Sequence, residues 1–121
     1  MGDSKYSENK LTDLNHAIRQ VERIEDEFSN IKHQFEASLG EFHTNFRRLS
    51  VRNKELIGLS RGQNQWTVHQ ELEEQYVLDK QVDQYVNDGF EQLSQLSNRV
   101  RKTMDEEREY LIRERNRMLW E

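Results

Sequence analysis

The sequence predicts an all-α fold, a long antiparallel two-helix hairpin with coiled-coil-like packing. Three observations predict it: an apolar stripe at helical spacing in each half of the chain, the absence of proline, and one short polar segment with two glycines between the halves. Proline is the usual helix breaker, and apolar residues at steps of three and four mark a helix that packs against another helix. The 121 residues are predicted to form a single hairpin domain, 1–121.

The composition argues against a thick globular core. Only 33% of the residues are hydrophobic and 34% are charged, so little apolar surface is there to bury. Cysteine is absent, which excludes disulfide bonds and thiolate metal sites. No apolar run reaches the length of a membrane span, and the chain does not open with the continuous hydrophobic region of a signal peptide. We expect a protein that stays in the cytoplasm or leaves by a route that reads no such signal.

The first helix is predicted over about residues 7–57. Two positions on its stripe, Glu25 and Lys32, are charged, but each follows an isoleucine, Ile24 or Ile31. The stripe is therefore predicted to drift around the helix at these points without being lost. Its apolar members are Leu11, Leu14, Ile18, Val21, Phe28, Phe35, Leu39, Phe42, Phe46 and Leu49.

The turn is predicted at about residues 58–65, where the heptad rhythm stops. Gly58 and Gly62 lie in this segment, and a glycine supplies the left-handed conformation that ends a helix. Asn64 or Thr67 can cap the helix that follows, because a short polar side chain accepts hydrogen bonds from its first backbone amides.

The second helix is predicted over about residues 66–119. Its stripe is less regular than the first and consists of Leu72, Tyr76, Leu78, Val82, Val86, Phe90, Leu93, Leu96, Val100, Met104, Leu111 and Met118. Further apolar residues lie outside either stripe. They are scattered surface and turn residues, or they form a second face that completes a bundle of three or four helices with another chain. These residues are Val51, Ile57, Leu59, Trp66, Val77, Leu119 and Trp120.

The charge distribution predicts that the two helices are antiparallel. Residues 47–61 are mainly basic and residues 71–91 mainly acidic, and folding the chain back at the turn brings these blocks together. In the same register, the acidic residues within 22–27 come opposite the basic residues within 99–102. Exposed charge pairs of this kind select the orientation of the helices more than they stabilise the fold.

Catalytic chemistry is not indicated. The four histidines include no pair at the spacing of metal ligands on a helix, and there is no Glu-x-x-His motif, glycine-rich phosphate loop or nucleophile elbow. We therefore expect no enzyme, no cofactor and no catalytic or metal site. The basic residues near the C-terminus alternate with acidic ones, and the chain carries a net charge of −5, which argues against nucleic acid and membrane surfaces as partners.

Two local features accompany the hairpin pattern: Trp66 at the turn, and Tyr-x-x-x-Glu near the end of the second helix, formed by Tyr110 and Glu114. With these features the chain resembles the small WXG-like helical proteins of type VII secretion in Gram-positive bacteria. More narrowly, it is similar to the helical targeting partners of LXG toxins. The turn reads Trp66-Thr67-Val68, in place of the Trp-x-Gly of the better-known secreted hairpins.

The resemblance implies a non-enzymatic adaptor, or targeting chaperone. Such a protein binds the N-terminal helical domain of a secreted LXG toxin, often with a second small helical partner, and helps to direct the toxin to the type VII secretion system. It is cytoplasmic, or is exported with its partner without a cleaved signal peptide. On this reading Tyr110 and Glu114 belong to an export signal. The residues expected to pack within the hairpin or onto the partner are Phe28, Phe35, Phe42, Phe46, Trp66, Phe90 and Leu93.

Two alternatives remain open at the level of the sequence. The first alternative is a self-associating structural coiled coil, such as a homodimer of hairpins. The second is a stalk or chaperone hairpin of another secretion or ATPase machine. A heptad stripe predicts that an apolar surface packs against it, but it does not show whether that surface belongs to a second copy of the chain or to another protein.

Overall fold

The computed structural model describes residues 2–59, 62 and 64–120, except for the side chains of residues 2–4. Two helices, α1 (Gly2–Gly58) and α2 (Gln65–Trp120), pack against each other, which confirms the predicted all-α hairpin. The first helix begins at Gly2, whereas the sequence predicted a start near residue 7. The polar residues before position 10 include no proline, so nothing in them prevents the helix from extending toward the N-terminus.

The turn between the helices uses residues that the sequence singled out. Gly62 has a φ of 89°, in the left-handed region that glycine reaches without steric cost. Asn64 caps α2, because its Oδ1 accepts a hydrogen bond from the backbone amide of Trp66 at 2.9 Å. Thr67, the other predicted cap, lies inside the first turn of α2. Residues 60, 61 and 63 of the predicted turn lie outside the described part of the chain.

Along the hairpin, each of two compact units combines a segment of α1 with a segment of α2. The terminal unit comprises α1 up to His33 and α2 from Ser94 onward, and the turn unit comprises Gln34–Leu93. The interiors of the two units differ in chemistry. The terminal unit has an apolar core, whereas the interior of the turn unit combines a row of polar pairs with the buried side chains of Ile57 and Val86.

The apolar core of the terminal unit forms where the predicted stripes of both helices meet. Ile18 and Val21 from α1 are buried together with Leu111 from α2. Burial of such side chains is the main stabilising contribution in a unit with so few apolar residues. Partly buried residues that pack against this core are Leu14, Ala17, Met104 and Ile112.

The predicted drift of the stripe toward Ile24 and Ile31 is wrong. These isoleucines are 46% and 49% exposed, whereas Glu25 and Lys32 are half-buried at the seam. Glu25 forms an ion pair with Arg108 of α2, which compensates the carboxylate for partial loss of water. The seam therefore keeps its register through a charged position. Glu25 was expected to face the basic residues within 99–102, and its ion pair with Arg108 lies farther along α2.

In the turn unit, the interior of α1 lies one residue beyond the predicted stripe. Phe35, Phe42 and Leu49 were predicted on the seam, and all three are exposed. An ideal helix rotates by about 20° per heptad relative to a strict seven-residue repeat, so after several heptads the following residue turns toward the neighbouring helix. His43, Ser50 and Ile57 lie in the interior, each one position after a member of the repeat Phe42, Leu49 and Leu56. Leu39 and Phe46 of the predicted stripe remain half-buried.

Candidate partner-binding face

Six exposed apolar residues of the turn unit repeat every seven residues, four on α1 and two on α2. Each of six residues is between 44% and 67% exposed, although each is large and apolar or aromatic. A seven-residue repeat places its members on one stripe of a helix. We call these six residues the apolar face: Phe35, Phe42, Leu49 and Leu56 on α1, with Leu78 and Tyr85 on α2.

Aromatic contacts show that the two rows of the apolar face lie on the same side. The ring of Phe42 meets the ring of Tyr85 edge-on, with centroids 6.4 Å apart and an interplanar angle of 74°. Phe42 also stacks on Phe46, which is half-buried, at a centroid distance of 6.4 Å. A groove of about 380 Å³ runs beside this cluster. Its lining is Phe35, Ser38, Leu39, Phe42, Tyr85, Gly89 and Leu93.

The face continues toward the turn in a second groove of about 350 Å³. Leu49 and Leu56 of α1 line it together with Leu78 of α2, and Arg52 lies at its edge. An adjoining depression of about 320 Å³ brings Glu71 and Glu74 next to Leu78. The apolar face is therefore bordered by an arginine on the α1 side and by glutamates on the α2 side.

Gly89 allows α1 and α2 to come close at one end of the apolar face. A Cβ atom built on Gly89 would lie 2.8 Å from Cδ2 of Leu39, a distance at which the leucine would have to move. A Cβ atom added to Gly40, Gly58 or Gly62 would have no such neighbour within 4 Å. Gly89 thus lets Leu39 pack directly on the backbone of α2.

The other side of the turn unit is charged. Lys54 of α1 pairs with Asp79 of α2 at 2.6 Å, and its ammonium nitrogen lies 4.5 Å from the centroid of the Tyr76 ring. Arg47 lies 3.8 Å from Asp83. These pairs confirm the predicted match between the basic block of α1 and the acidic block of α2.

Between the two sides lies a buried polar cluster. Ser50 and Gln75 are 5% and 8% exposed, and each donates a hydrogen bond to Oδ1 of Asp79, at 2.6 and 3.0 Å. Asn53 donates to the amide oxygen of Gln75 at 2.6 Å. Because Ser50 and Asn53 of α1 bond to Asp79 and Gln75 of α2 at fixed levels, the cluster specifies the register of the hairpin.

The pKa of Asp79 reflects the electrostatics of this cluster. Burial raises the pKa of its carboxyl, but hydrogen bonds from Lys54, Ser50 and Gln75 outweigh burial, so the pKa lies below the ordinary value. A second cross-helix contact joins His43 and Asp83, with Nε2 of the imidazole donating to Oδ1 at 2.6 Å. Neither contact is predicted by the sequence, because isolated polar residues at seam positions have the same pattern as surface residues.

The other predicted packing residues fall in different places. Leu93 lines the groove beside Phe42, whereas Phe90 and Trp66 are exposed and line neither groove of the apolar face. Phe28 belongs to the terminal unit, where it is half-buried and lines a cavity of about 340 Å³. The structure therefore brings Phe35, Phe42, Phe46 and Leu93 together on one side of the turn unit and leaves the other three apart.

The two residues of the predicted export signal lie in the terminal unit. Tyr110 is exposed, and the carboxylate of Glu114 accepts a hydrogen bond from the guanidinium of Arg117 at 2.7 Å. Leu56 and Tyr85 are the two members of the apolar face that were not predicted from the sequence. Their signal was available, because Leu56 follows Leu49, and Tyr85 follows Leu78, by seven residues.

Other kinds of site find no support in the described residues. Within 2–59, 62 and 64–120, no group of three or more histidine, aspartate or glutamate side chains is placed to hold a metal ion. Neither helix, over its described length, has a stretch apolar enough to cross a membrane. No protein-family model, curated protein or solved structure matches the chain. The apolar face is the feature of this surface from which a function can be argued.

Proposed function

We propose that the chain is a non-enzymatic adaptor that binds the N-terminal helical domain of a secreted LXG-type toxin and helps to direct it to the type VII secretion system. The observation that carries the proposal is the apolar face. Contiguous apolar groups of this kind on a polar protein mark a site of protein interaction. The resemblance through the hairpin pattern, Trp66, Tyr110 and Glu114 supplies the identity of the partner.

The geometry suits a helical partner. The rows of the apolar face repeat every seven residues, which is the repeat of a helix that packs by inserting side chains between those of its neighbour. The groove between α1 and α2 can accept such a helix, and the product is a bundle of three or more helices. Binding would bury the six exposed residues that the hairpin leaves in water.

The test is co-expression with the helical N-terminal domain of a toxin encoded next to this chain, followed by size-exclusion chromatography with light scattering. We expect a defined hetero-complex. The double substitution Phe42→Ala and Leu49→Ala should weaken it by about a hundredfold or more, because truncation at the centre of an interface costs roughly 2 kcal/mol per residue. Val51→Ala is the matched control, since Val51 is equally exposed but lines the charged side with Asp79 and Asp83.

Circular dichroism of the variants shows whether each still folds, so that loss of binding is not mistaken for loss of the hairpin. A complex that tolerates the double substitution as well as it tolerates Val51→Ala contradicts the proposal. A stable homodimer that ignores the toxin domain instead supports a self-associating structural coiled coil, the second candidate function.

The export signal is tested separately from binding. Alanine at both Tyr110 and Glu114 should abolish secretion of the toxin while the complex still forms, because the exposed phenol and the carboxylate lie one helical turn apart near the end of α2. Glu107→Ala, at an exposed position of the same helix, is the control. Secretion that survives the double substitution would show that these two residues carry no signal.

A further inference from the structure

We infer that the apolar face takes an amphipathic helix whose edge next to α2 is basic. This inference rests on the proposed function and adds the charge and the orientation of the partner. It follows from the residues that border the apolar face, which differ in charge between the two helices.

The border on the α2 side is acidic. Glu71 and Glu74 lie next to Leu78 in the depression described above, and Asp88 lies one helical turn after Tyr85 on the same edge. Within the described part of the chain, none of these three carboxylates has a basic partner.

No lysine or arginine among the described residues of the turn unit forms an ion pair with this edge. Lys54 reaches across to Asp79 on the charged side, where Tyr76 covers its ammonium group. Lys80 lies one helical turn after Tyr76 and so belongs to that same side. Among the described residues, the three border carboxylates thus have no cation of the chain beside them, and a partner can supply one.

The border on the α1 side has the opposite character. Ser38, Asn45 and Arg52 follow one another at seven-residue spacing beside Phe42 and Leu49, so this edge is neutral to basic. A helix in the groove therefore meets carboxylates along one flank and a single guanidinium along the other. Charge complementarity across such an interface fixes orientation and partner choice more than it adds affinity.

The same border argues against other occupants. A peripheral membrane surface calls for basic residues beside the apolar stripe, and here the charged flank is acidic. A second copy of this chain would offer only Arg52 from its own α1 border to three carboxylates. A partner helix with lysines or arginines along one flank can pair with all three carboxylates. A membrane surface and a second copy of this chain cannot.

The experiment uses two synthetic amphipathic helical peptides as probes. They share one apolar heptad stripe and differ only on one flank, which carries lysines in the first peptide and glutamates in the second. Fluorescence anisotropy with the full chain measures both dissociation constants. We expect the lysine peptide to bind roughly tenfold more tightly at low salt, because each of three exposed pairs contributes a few-fold. The difference should shrink at high ionic strength.

Glu74→Lys in the full chain should remove most of that preference. Glu73→Lys makes the same change of net charge one residue away, off the border, and should leave the preference intact. Equal binding of the two peptides, failure of both to bind, or equal effects of the two substitutions would overturn the inference. So would a homodimer of the free chain that Phe42→Ala dissociates, because a second copy would then be the occupant.

The outcomes also separate this inference from the proposed function. If the toxin domain binds through Phe42 and Leu49 but Glu74→Lys and Glu73→Lys behave alike, the adaptor function stands and the basic flank is wrong. If the lysine peptide is preferred but the toxin domain does not bind, the face is as described here and the proposed partner is wrong.

Discussion

Truncation of Val86 should be the clearest test of how the turn unit is packed. Val86 is 1% exposed, and its helix also carries Val77, which is 56% exposed. Val86→Ala and Val77→Ala each replace valine by alanine within the helix, so the intrinsic helix propensity stabilises both variants by the same amount, up to about 0.7 kcal/mol. The difference between the two variants then reports burial alone.

The magnitude follows from the groups removed. Each substitution deletes two methyl-sized groups, and at about 0.8 kcal/mol per buried group the transfer cost at Val86 is about 1.6 kcal/mol. A cavity adds to this cost if the neighbours do not collapse onto it. We expect Val86→Ala to lower the free energy of unfolding by about 1.5 to 3 kcal/mol relative to Val77→Ala.

Urea denaturation followed by circular dichroism at 222 nm measures the difference. The comparison requires equal slopes of unfolding free energy against urea, since a changed slope would signal a change in the amount of surface exposed on unfolding. If Val77→Ala destabilised the protein as much as Val86→Ala, the two valines would be equally buried in solution. The assignment of Val86 to the interior, and with it the packing of the turn unit, would then be refuted.

Two further predictions concern the polar cluster and the glycines. The pKa of Asp79 is lowered in the folded protein, so its ionisation adds stability above the unfolded value, near 3.8, and this stability is lost as the pH falls through the lower folded value. Urea midpoints measured from pH 7 downward should therefore fall less steeply below about pH 4 in Asp79→Asn than in the original chain, and identical slopes would contradict the coupling. Gly40→Ala should stabilise the protein by about 0.5 to 1 kcal/mol, since α1 continues through Gly40 and its added methyl group meets open space. Gly89→Ala should gain less than Gly40→Ala because Leu39 must move, and equal gains in urea midpoint would show that the close approach is absent.

The main features of the fold could be predicted because they depend on local chemistry. A sequence without proline that carries an apolar repeat at helical spacing predicts long helices. Asn64, which follows Gly62, marks the start of the second helix. The antiparallel orientation was predicted from a basic block on α1 and an acidic block on α2, and the ion pair between Lys54 and Asp79 connects these two blocks. Each of these signals depends on a few neighbouring residues or on the net charge of a segment, and the sequence shows both of these directly.

The choice of interior residues could not be predicted in the same way. A heptad repeat shows that an apolar row exists, but not whether the row faces the second helix or the solvent. In the turn unit the interior position moves by one residue, from Phe42 to His43, as the helix drifts relative to the seven-residue repeat. His43 and Ser50 then bond to Asp83 and Asp79 of the other helix. Such pairings depend on three-dimensional register, which no single stretch of sequence records.

The buried polar cluster of the turn unit and the apolar face beside it are under two different constraints. Ser50, Gln75 and Asp79 hold the helices in register, while Phe35 and Tyr85 stand outside that network. Substitutions at exposed positions usually change folding stability little, so residues on the apolar face can vary with small cost to the hairpin. A lineage carrying this hairpin could accordingly acquire new binding specificities through successive replacements on one side, while the scaffold beneath them is inherited unchanged.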